Sequence, residues 1–271
     1  MEKITSLNSP HIERVKALLG SRGKKTRDSE STFVVEGIQA VREAINPKLN
    51  EGLSLKTIYA TEVGLNKLYS AIGQQVLEGL DIVEVSEQVM NAMADSQTPQ
   101  GILALCSTKS LKLSDLWKLE PKKIAFFWQI QDPGNAGTVI RTADACGFDA
   151  VIFSEESVDI FNPKTVRASV GSLWHIPVIP NVKIDEFIDI CLSRNAQIYA
   201  LSANGSQTLD SEFVTKTVKD PSIWIFGNEA RGLPELPQEV KTVSIPMKGF
   251  AESLNVASAA AIVLHSVGLS L

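Results

Sequence analysis

Short apolar runs alternate with segments of helical pattern through the second half of the chain, and this alternation narrows the possible folds most. The segment KIAFFWQI at 123–130 contains a continuous apolar run between Lys123 and Gln129, as in a parallel strand buried on both faces. Further strand candidates are DAVIF (149–153), HIPVI (175–179), AQIYAL (196–201), SIWIFG (222–227) and KTVSIP (241–246). A long Ala-rich helix is expected from about Ser253. The pattern predicts an α/β fold with a mostly parallel sheet.

The first half of the chain predicts a second, separate α/β series. Ser9, Pro10 and Gly20 frame a helix over 9–20, followed by a polar stretch at 21–32 that is typical of a loop. Strands are then expected at TFVVEG, LKTIYA, LDIVEV and GILALC, and a helix at GIQAVREAIN. In residues 107–121 the apolar residues show no regular helical or strand periodicity. We therefore expect domains at 1–106 and 122–271, joined by a linker at 107–121.

Composition places this 271-residue chain of 29.4 kDa among ordinary globular proteins. Its three cysteines and three histidines are scattered, so neither a disulfide framework nor a metal site is expected. The N-terminal sequence lacks the apolar segment of a signal peptide, and the C-terminal VASAAAIVLHSVGLSL is too short and small-sided for a membrane span. These features favour a cytoplasmic protein with no membrane partner.

Six basic residues and no acidic ones lie between Arg14 and Arg27, although the net charge of the chain is −5. They are Arg14, Lys16, Arg22, Lys24, Lys25 and Arg27. Two interpretations are open, a solvated helix face and a surface that contacts a polyanion. Short basic runs often have no binding role, so this stretch alone favours the solvated face.

Polar residues follow the end of a predicted strand in the segment QDPGNAGTVIR. The strand is expected to end at Ile130, and a helix to begin near Asn135, which is placed at its cap. Arg141 lies six residues later, about 120° around the helix from Asn135. An N-cap next to a surface arginine is the simpler interpretation. A pocket at the strand end, reached by both side chains, is the functional one.

Two later segments also place polar residues after strands. IWIFGNEARGLP runs from an apolar strand into Gly227, Glu229 and Arg231, at the edge where open α/β sheets bind ligands. In VSIPMKGFAESLNV a strand ends at Ile245, and Ser253 and Asn255 open the last helix. The small residues of that helix suit close packing within the chain or across a dimer.

Together the three segments resemble the signature motifs of the SpoU (TrmH-like) branch of the SPOUT RNA methyltransferases. The first motif is the Asn135/Arg141 pair, the second Gly227, Glu229, Gly232 and Leu233, and the third Ile245-Pro246-Met247 with Ser253-Leu254-Asn255-Val256. The N-terminal segments ITSLNSPHIERVKAL, FVVEG and TPQGILAL resemble the L30e-like substrate-binding domain that precedes many of these enzymes. The resemblance covers essentially the whole chain.

This resemblance implies an enzyme that transfers a methyl group from S-adenosyl-L-methionine to a ribose 2′-hydroxyl of RNA. It implies a deep trefoil knot around the cofactor pocket and a homodimer. The cofactor-binding residues would be Leu201, Ser202, Gly227, Ile245, Met247 and Leu254. The catalytic residues would be Arg141, Asn135, Glu229, Ser253 and Asn255. RNA would be held by Arg22, Lys24, Lys25, Arg27 and Arg167.

Several alternatives stay open at this point. Arg141 acts either as the base for the hydroxyl or as an electrostatic stabiliser of the alkoxide, since a neutral guanidinium is costly. The type of N-terminal domain favours ribosomal RNA, and transfer RNA is the other candidate target. The rival functions are methylation of a base nitrogen and a catalytically weak RNA-binding or ribosome-assembly protein.

Overall fold

The computed structural model describes residues 3–20, 22–46, 52–109, 111–216, 218–219 and 221–268. Helices and strands alternate through them, as the apolar pattern predicts. The first elements are α1 (Pro10–Leu19), α2 (Gly23–Glu30), β1 (Thr32–Glu36), α3 (Ile38–Ile45), β2 (Leu55–Ala60), α4 (Glu62–Ile72), β3 (Ile82–Glu84), α5 (Glu87–Met93) and β4 (Ile102–Ser107). Then come α6 (Leu113–Leu116), β5 (Lys123–Phe127), α7 (Pro133–Ala145), β6 (Ala150–Ser154), α8 (Pro163–Ser169), β7 (Val178–Val182), α9 (Ile184–Ser193), β8 (Gln197–Leu201), β9 (Gln207–Thr208), α10 (Ser211–Lys216), β10 (Ser222–Phe226), β11 (Lys241–Ser244) and α11 (Val256–Gly268).

The chain divides into two compact units, and the division differs from the one expected from sequence. The first unit comprises Met1–Ser110 and Phe161–His175, and the second Leu111–Ile160 and Ile176–Leu271. The stretch expected to be a linker contains α6, and its side chains Leu111, Leu113 and Trp117 pack against the core of the second unit. It is therefore part of a folded unit, because these apolar side chains are half-buried against that core.

The first unit is built on a mixed sheet with the strand order β1-β4-β2-β3. Strand β4 runs antiparallel to β1 and β2, and β2 runs parallel to β3. Helix α1 buries Ile12, Val15 and Leu18 in the core of this unit, and the Ser9 hydroxyl caps its first turn. The predicted helix at 9–20 and the predicted strands of this half are confirmed.

The segment Phe161–His175 belongs to the first unit because of specific side-chain contacts. The ring of Phe33 lies 4.7 Å from that of Phe161 and 6.1 Å from that of Trp174, measured between centroids. At the end of the segment, His175 Nε2 lies 3.0 Å from Glu43 Oε2. Aromatic burial of this kind dominates core energetics, which explains why residues distant in sequence join the N-terminal sheet.

The second unit is built on a parallel sheet of seven strands among the described residues, in the order β7-β6-β5-β10-β8-β11-β9. All five residues of β5, β6 and β10 are buried. This is why these strands read as continuous apolar runs. The predicted α/β class with a mostly parallel sheet is confirmed.

Three details of this sheet differ from the expectation. Strand β5 ends at Phe127 and not at Ile130, because Gln129 has a left-handed backbone (φ +49°) that no strand accommodates. Strand β7 begins at Val178, three residues later than expected, and is an edge strand that tolerates Pro180. The two-residue strand β9 was not predicted, since it is too short to show a period.

None of the described helices has the length and apolar character needed to cross a membrane. The three cysteines are free thiols, and burial raises the pKa of Cys106 and raises that of Cys191 to about 12. Such thiols stay protonated near neutral pH and are poor nucleophiles.

Candidate active site

A cavity of about 210 Å³ opens where the strands of the second unit end. Its walls come from residues that follow β8, β10 and β11, which lie side by side in the sheet. Because the carboxyl ends of parallel strands meet at one edge, segments distant in sequence converge there. The cavity combines apolar walls with a few polar side chains, which is typical of a small-molecule site.

The six residues expected to bind the cofactor all line this cavity: Leu201, Ser202, Gly227, Ile245, Met247 and Leu254. Glu229 and Ser253 from the expected catalytic set line it too. Two further lining residues, Gly232 and Val256, belong to the motifs but were given no role, and four were not singled out from the sequence: Phe226, Asn228, Glu252 and Ala259. The first three directly adjoin a motif residue, and Ala259 lies one helical turn after Asn255. Their closeness to the motifs in the sequence could therefore have predicted them.

The loop after β10 is fixed by Asn228, whose side chain is nearly buried (7% exposed). The backbones of Asn228 and Gly232 exchange two hydrogen bonds of 2.9 Å, and Gly232 has a positive φ of +67° that favours glycine. Asn228 Oδ1 accepts hydrogen bonds from the amides of Ala230 (2.9 Å) and Arg231 (3.0 Å). Its Nδ2 donates to the Gln129 carbonyl (2.7 Å), which ties this loop to the end of β5.

Three of the expected catalytic residues form a chain of hydrogen bonds. Asn255 Nδ2 donates to Asn135 Oδ1 (3.3 Å), and Asn135 Nδ2 donates to Glu229 Oε1 (3.1 Å). The amide of Asn255 is oriented by α11, because its Oδ1 accepts from the Ala257 amide (2.8 Å). One polar chain therefore links all three motif segments and ends on a carboxylate.

The helix starts near this chain differ from those expected. Asp132, not Asn135, caps α7, because Pro133 occupies the first helical position and Asp132 Oδ1 accepts from the Asn135 amide (2.9 Å). The side chain of Asn135 therefore does not cap the helix, and its amide can donate to Glu229. Helix α11 begins at Val256, so Asn255 caps it, whereas Ser253 precedes it in the cavity wall.

Arg141 lies on the exposed side of α7 and is not part of the hydrogen-bonded chain. Within the described part of the protein it has no carboxylate partner, and Asn135 lies six residues earlier on the same helix. Its guanidinium therefore keeps an uncompensated positive charge, which suits contact with an anionic group of a substrate.

The basic stretch forms a helix and not the expected loop. Residues Gly23–Glu30 are helical as α2, and the guanidinium of Arg27 donates to the Leu18 carbonyl at the end of α1. Arg27 is only 4% exposed, so the structure contradicts its assignment to an RNA-binding surface. Its side chain completes the α1 terminus, where backbone carbonyls lack helical partners.

The remaining basic residues expected to bind RNA fall into two groups. Arg22, Lys24 and Lys25 are exposed, at the beginning of α2. Arg167, on α8, is paired with Asp95 in the first unit, with 2.5 Å between Nη1 and Oδ2. A neighbouring carboxylate disfavours phosphate at the same guanidinium, so Arg167 is a weaker RNA-binding candidate than the three exposed residues.

Fold and site define an α/β protein with a ligand cavity at the carboxyl edge of a parallel sheet. Residues 122–265 match the model of the SpoU rRNA Methylase family, and residues 10–104 match the MRM3-like substrate binding domain. The chain belongs to the SpoU rRNA Methylase family. The predicted SPOUT fold and the predicted RNA methyltransferase class are confirmed.

Full-length relatives support this assignment. The 23S rRNA (guanosine(2553)-2′-O)-methyltransferase RlmP of Bacillus subtilis (strain 168) is 30% identical over 267 residues, which cover 98% of each chain. The 23S rRNA (uridine(2479)-2′-O)-methyltransferase of Streptomyces viridochromogenes is 29% identical, over 97% of this chain and 90% of that one. The crystal structure of an AdoMet-bound rRNA methyltransferase from Sinorhizobium meliloti has a TM-score of 0.80 at 30% identity, over 98% of this chain and 97% of that one.

Proposed function

We propose that this protein methylates a ribose 2′-hydroxyl of ribosomal RNA, with S-adenosyl-L-methionine as methyl donor. The observation that carries the proposal is the hydrogen-bonded chain Asn255–Asn135–Glu229 beside the cavity. It joins residues of three motifs that come from separate parts of the sequence. Two relatives named as 23S rRNA 2′-O-methyltransferases, similar over nearly the whole chain, support ribose in ribosomal RNA as the target.

The lining of the cavity suits S-adenosyl-L-methionine in its apolar contacts and in its charge. Leu201, Ile245 and Leu254 offer apolar contacts, and the two carboxylates of Glu229 and Glu252 suit a ligand that carries a sulfonium and an ammonium. When bound, the cofactor supplies an electrophilic methyl group.

The protein's own residues then orient and stabilise the reacting ribose. The Asn255–Asn135 pair holds the Glu229 carboxylate in one position, so that little reorganisation is needed when the ribose arrives. The guanidinium of Arg141 stabilises the alkoxide that develops on the 2′-oxygen, since a neutral guanidinium that could act as a base is costly. We thus assign Arg141 the electrostatic role, with Ser253 positioned in the cavity wall beside the ribose.

The finer features of the family are also proposed for this chain. The basic side chains of Arg22, Lys24 and Lys25 contact RNA phosphates, and the first unit adopts the L30e-like fold. The second and third motifs form the trefoil knot. The chain acts in the cytoplasm as a homodimer, supported by the exposed stripe Ser258, Ile262 and His265 at i, i+4 and i+7 of α11.

The test is methylation of ribosomal and transfer RNA taken from cells that lack the gene, with labelled S-adenosyl-L-methionine. We expect label in ribosomal RNA at a nucleotide whose 3′ bond resists nuclease. Label only in transfer RNA, or on a base, would replace the proposed target. RNA binding without any methyl transfer would favour an assembly role.

The residue assignment is tested by Arg141→Ala under single-turnover conditions with saturating RNA and cofactor. We expect at least about a 10²-fold loss in rate with cofactor affinity changed only a few-fold, since Arg141 is absent from the cavity wall. Arg141→Lys should rescue only in part. Arg194, an exposed arginine over the Trp117 ring (4.8 Å), provides the matched control, and Arg194→Ala should keep the wild-type rate.

A further inference from the structure

Phe250 differs from every other phenylalanine of the chain. It is fully exposed (107%), whereas the other nine of the ten are at most 8% exposed. The buried nine are Phe33, Phe126, Phe127, Phe148, Phe153, Phe161, Phe187, Phe213 and Phe226. An aromatic ring in water gains none of the free energy that burial gives the others, so a partner that covers it has a large apolar surface to gain.

The backbone of Phe250 lies close to the cavity wall. Phe250 lies in the segment between β11 and α11, where Met247 on one side and Glu252 on the other line the cavity wall. Its Cα is two residues from that of Glu252, so the two are at most about 7 Å apart even in an extended chain. A substrate that reaches the cavity therefore passes within reach of this ring.

The surroundings of Phe250 favour a nucleic-acid base over a protein surface. Its immediate neighbours are Gly249 and Ala251, and the exposed Lys248 lies two residues away. Met247 (39%) and Leu254 (38%) are also exposed in this segment, but three side chains fall well short of the about 800 Å² that each side of a protein interface of standard size needs. A single flat ring with a nearby cation matches the way proteins hold unpaired RNA, by base stacking and phosphate contact.

We propose that Phe250 stacks on a base of the substrate RNA next to the target ribose, and that Lys248 contacts the adjoining phosphate. This rests on the proposed function, since it requires RNA at the cavity. Stacking fixes the nucleotide against the cavity rim, and therefore contributes to RNA binding and not to cofactor binding. The contact is tolerant of sequence, because every base offers a π face.

The experiment compares Phe250→Ala, Phe250→Leu and Phe250→Trp, with in vitro transcribed 23S rRNA as the probe. Leu119→Ala, a change at an exposed apolar residue (58%) of the same unit, is the control. We expect the Ala and Leu variants to raise the Kd for RNA by between about 5-fold and about 150-fold, the range for one stacked base. The Trp variant should bind as the wild type does, and its added tryptophan fluorescence should be quenched by RNA.

Two further readouts separate stacking from other causes. Phe250→Ala should leave the salt dependence of RNA binding unchanged, whereas Lys248→Ala should lower its slope by about one unit or less. Cofactor affinity should not change in any of the variants. Sedimentation of Phe250→Ala should match the wild type; dissociation of a dimer would overturn the proposal in favour of an interface between two copies of this chain.

The inference and the proposed function fail in different ways. If the wild type methylates RNA, and Phe250→Ala binds RNA as tightly as the wild type does, the stacking proposal is wrong and the proposed function stands. An equal loss in Leu119→Ala would also overturn it. If the wild type binds RNA in a Phe250-dependent manner without methyl transfer, the stacking stands and the enzymatic function fails. Absence of RNA binding by the wild type would overturn both.

Discussion

Substitution of Asn228 by alanine tests whether the loop after β10 positions the carboxylate of Glu229, for which we propose a catalytic role. The side chain makes three hydrogen bonds, two to amides within the loop and one to the Gln129 carbonyl at the end of β5. Glu229, the next residue, is the acceptor at the end of the hydrogen-bonded chain. Without Asn228 the loop loses both its internal closure and its attachment, so Glu229 loses its fixed position.

The cost in stability follows from these contacts. Three hydrogen bonds at about 1 kcal/mol each set an upper figure near 3 kcal/mol. The amides of Ala230 and Arg231 belong to exposed residues and regain water, and the Gln129 carbonyl still accepts from Gln131 Nε2 (3.0 Å). About 2 kcal/mol is therefore expected, which lowers Tm by about 4–8 °C for a unit of this size.

The activity should fall far more than this loss of stability explains. A protein with 5–15 kcal/mol of stability that loses about 2 kcal/mol stays more than about 99% folded. Displacement of a catalytic group by about 1 Å costs on the order of 10²-fold in rate. We expect Asn228→Ala to reduce single-turnover methylation by about that factor, measured beside thermal denaturation and cofactor titration.

Two variants make the result interpretable. Asn228→Asp keeps the oxygen that closes the loop but removes the donor to the Gln129 carbonyl, so it isolates the attachment to β5. Asn66→Ala changes an exposed asparagine of α4 and should alter neither Tm nor rate appreciably. If Asn228→Ala lowers Tm as expected yet keeps its methylation rate within about 3-fold, well short of the loss that displacement predicts, the loop does not position Glu229 and the reasoning is refuted.

Gly227→Ala should lower both Tm and the cofactor-induced rise in Tm in thermal shift assays, because its Cβ would lie 2.7 Å from the Gly232 carbonyl carbon and displace the loop; an unchanged cofactor effect would contradict this. Joint replacement of Arg22, Lys24 and Lys25 by alanine should lower the salt slope of RNA binding by up to about 2–3 units in filter-binding titrations, whereas no change would assign them to a solvated face. Burial raises the pKa of Glu43, but hydrogen bonds from neighbouring cations outweigh it and lower the pKa below 4.5. The stabilisation by the ionised Glu43 is thus complete above about pH 4.5 and is lost as the pH falls through the lower pKa of the folded state. The difference in the free energy of unfolding between the wild type and Glu43→Gln, measured by urea unfolding, should therefore shrink as the pH is lowered.

Several residues that line the cavity could be predicted from the sequence because they follow strand ends. Gly227 directly follows the apolar run of β10 and Ile245 directly follows β11, and the carboxyl ends of parallel strands necessarily share an edge. The hydrophobic periodicity of the sequence does not, however, predict which strands are neighbours in the sheet. The insertion of β10 between β5 and β8 depends on contacts distant in sequence, and only the resemblance to the SpoU motifs anticipated that the three segments meet.

The local errors have identifiable causes. The signal that places the start of α7 at Asp132 is Pro133, the same signal as Pro10 in α1, but the asparagine two residues later was also an acceptable cap. The helix α2 has a polar composition that predicts a loop, and its stability depends on the contact of Arg27 with the Leu18 carbonyl. Tertiary contacts of this kind override local propensity.

Charge patterns were the least reliable guide, because a count of basic residues does not show which of them are already paired. Arg14 lies 2.9 Å from Glu30, Arg27 is buried, and Arg167 contacts Asp95. Among the basic residues of the first unit that were expected to bind RNA, three are exposed and have no ion-pair partner among the described residues: Arg22, Lys24 and Lys25.

Three phosphate contacts give a salt slope of only about −2 to −3, far from the 6–10 contacts of strongly electrostatic binders. Electrostatic attraction from this surface is thus too weak to hold a large RNA by itself, in a chain whose net charge is −5. Contacts that do not depend on charge have to supply the remaining affinity. An exposed ring such as Phe250 at the cavity rim is a contact of that kind, so the fold-change in Kd on its loss should stay the same as the salt concentration rises, whereas the contribution of the phosphate contacts falls.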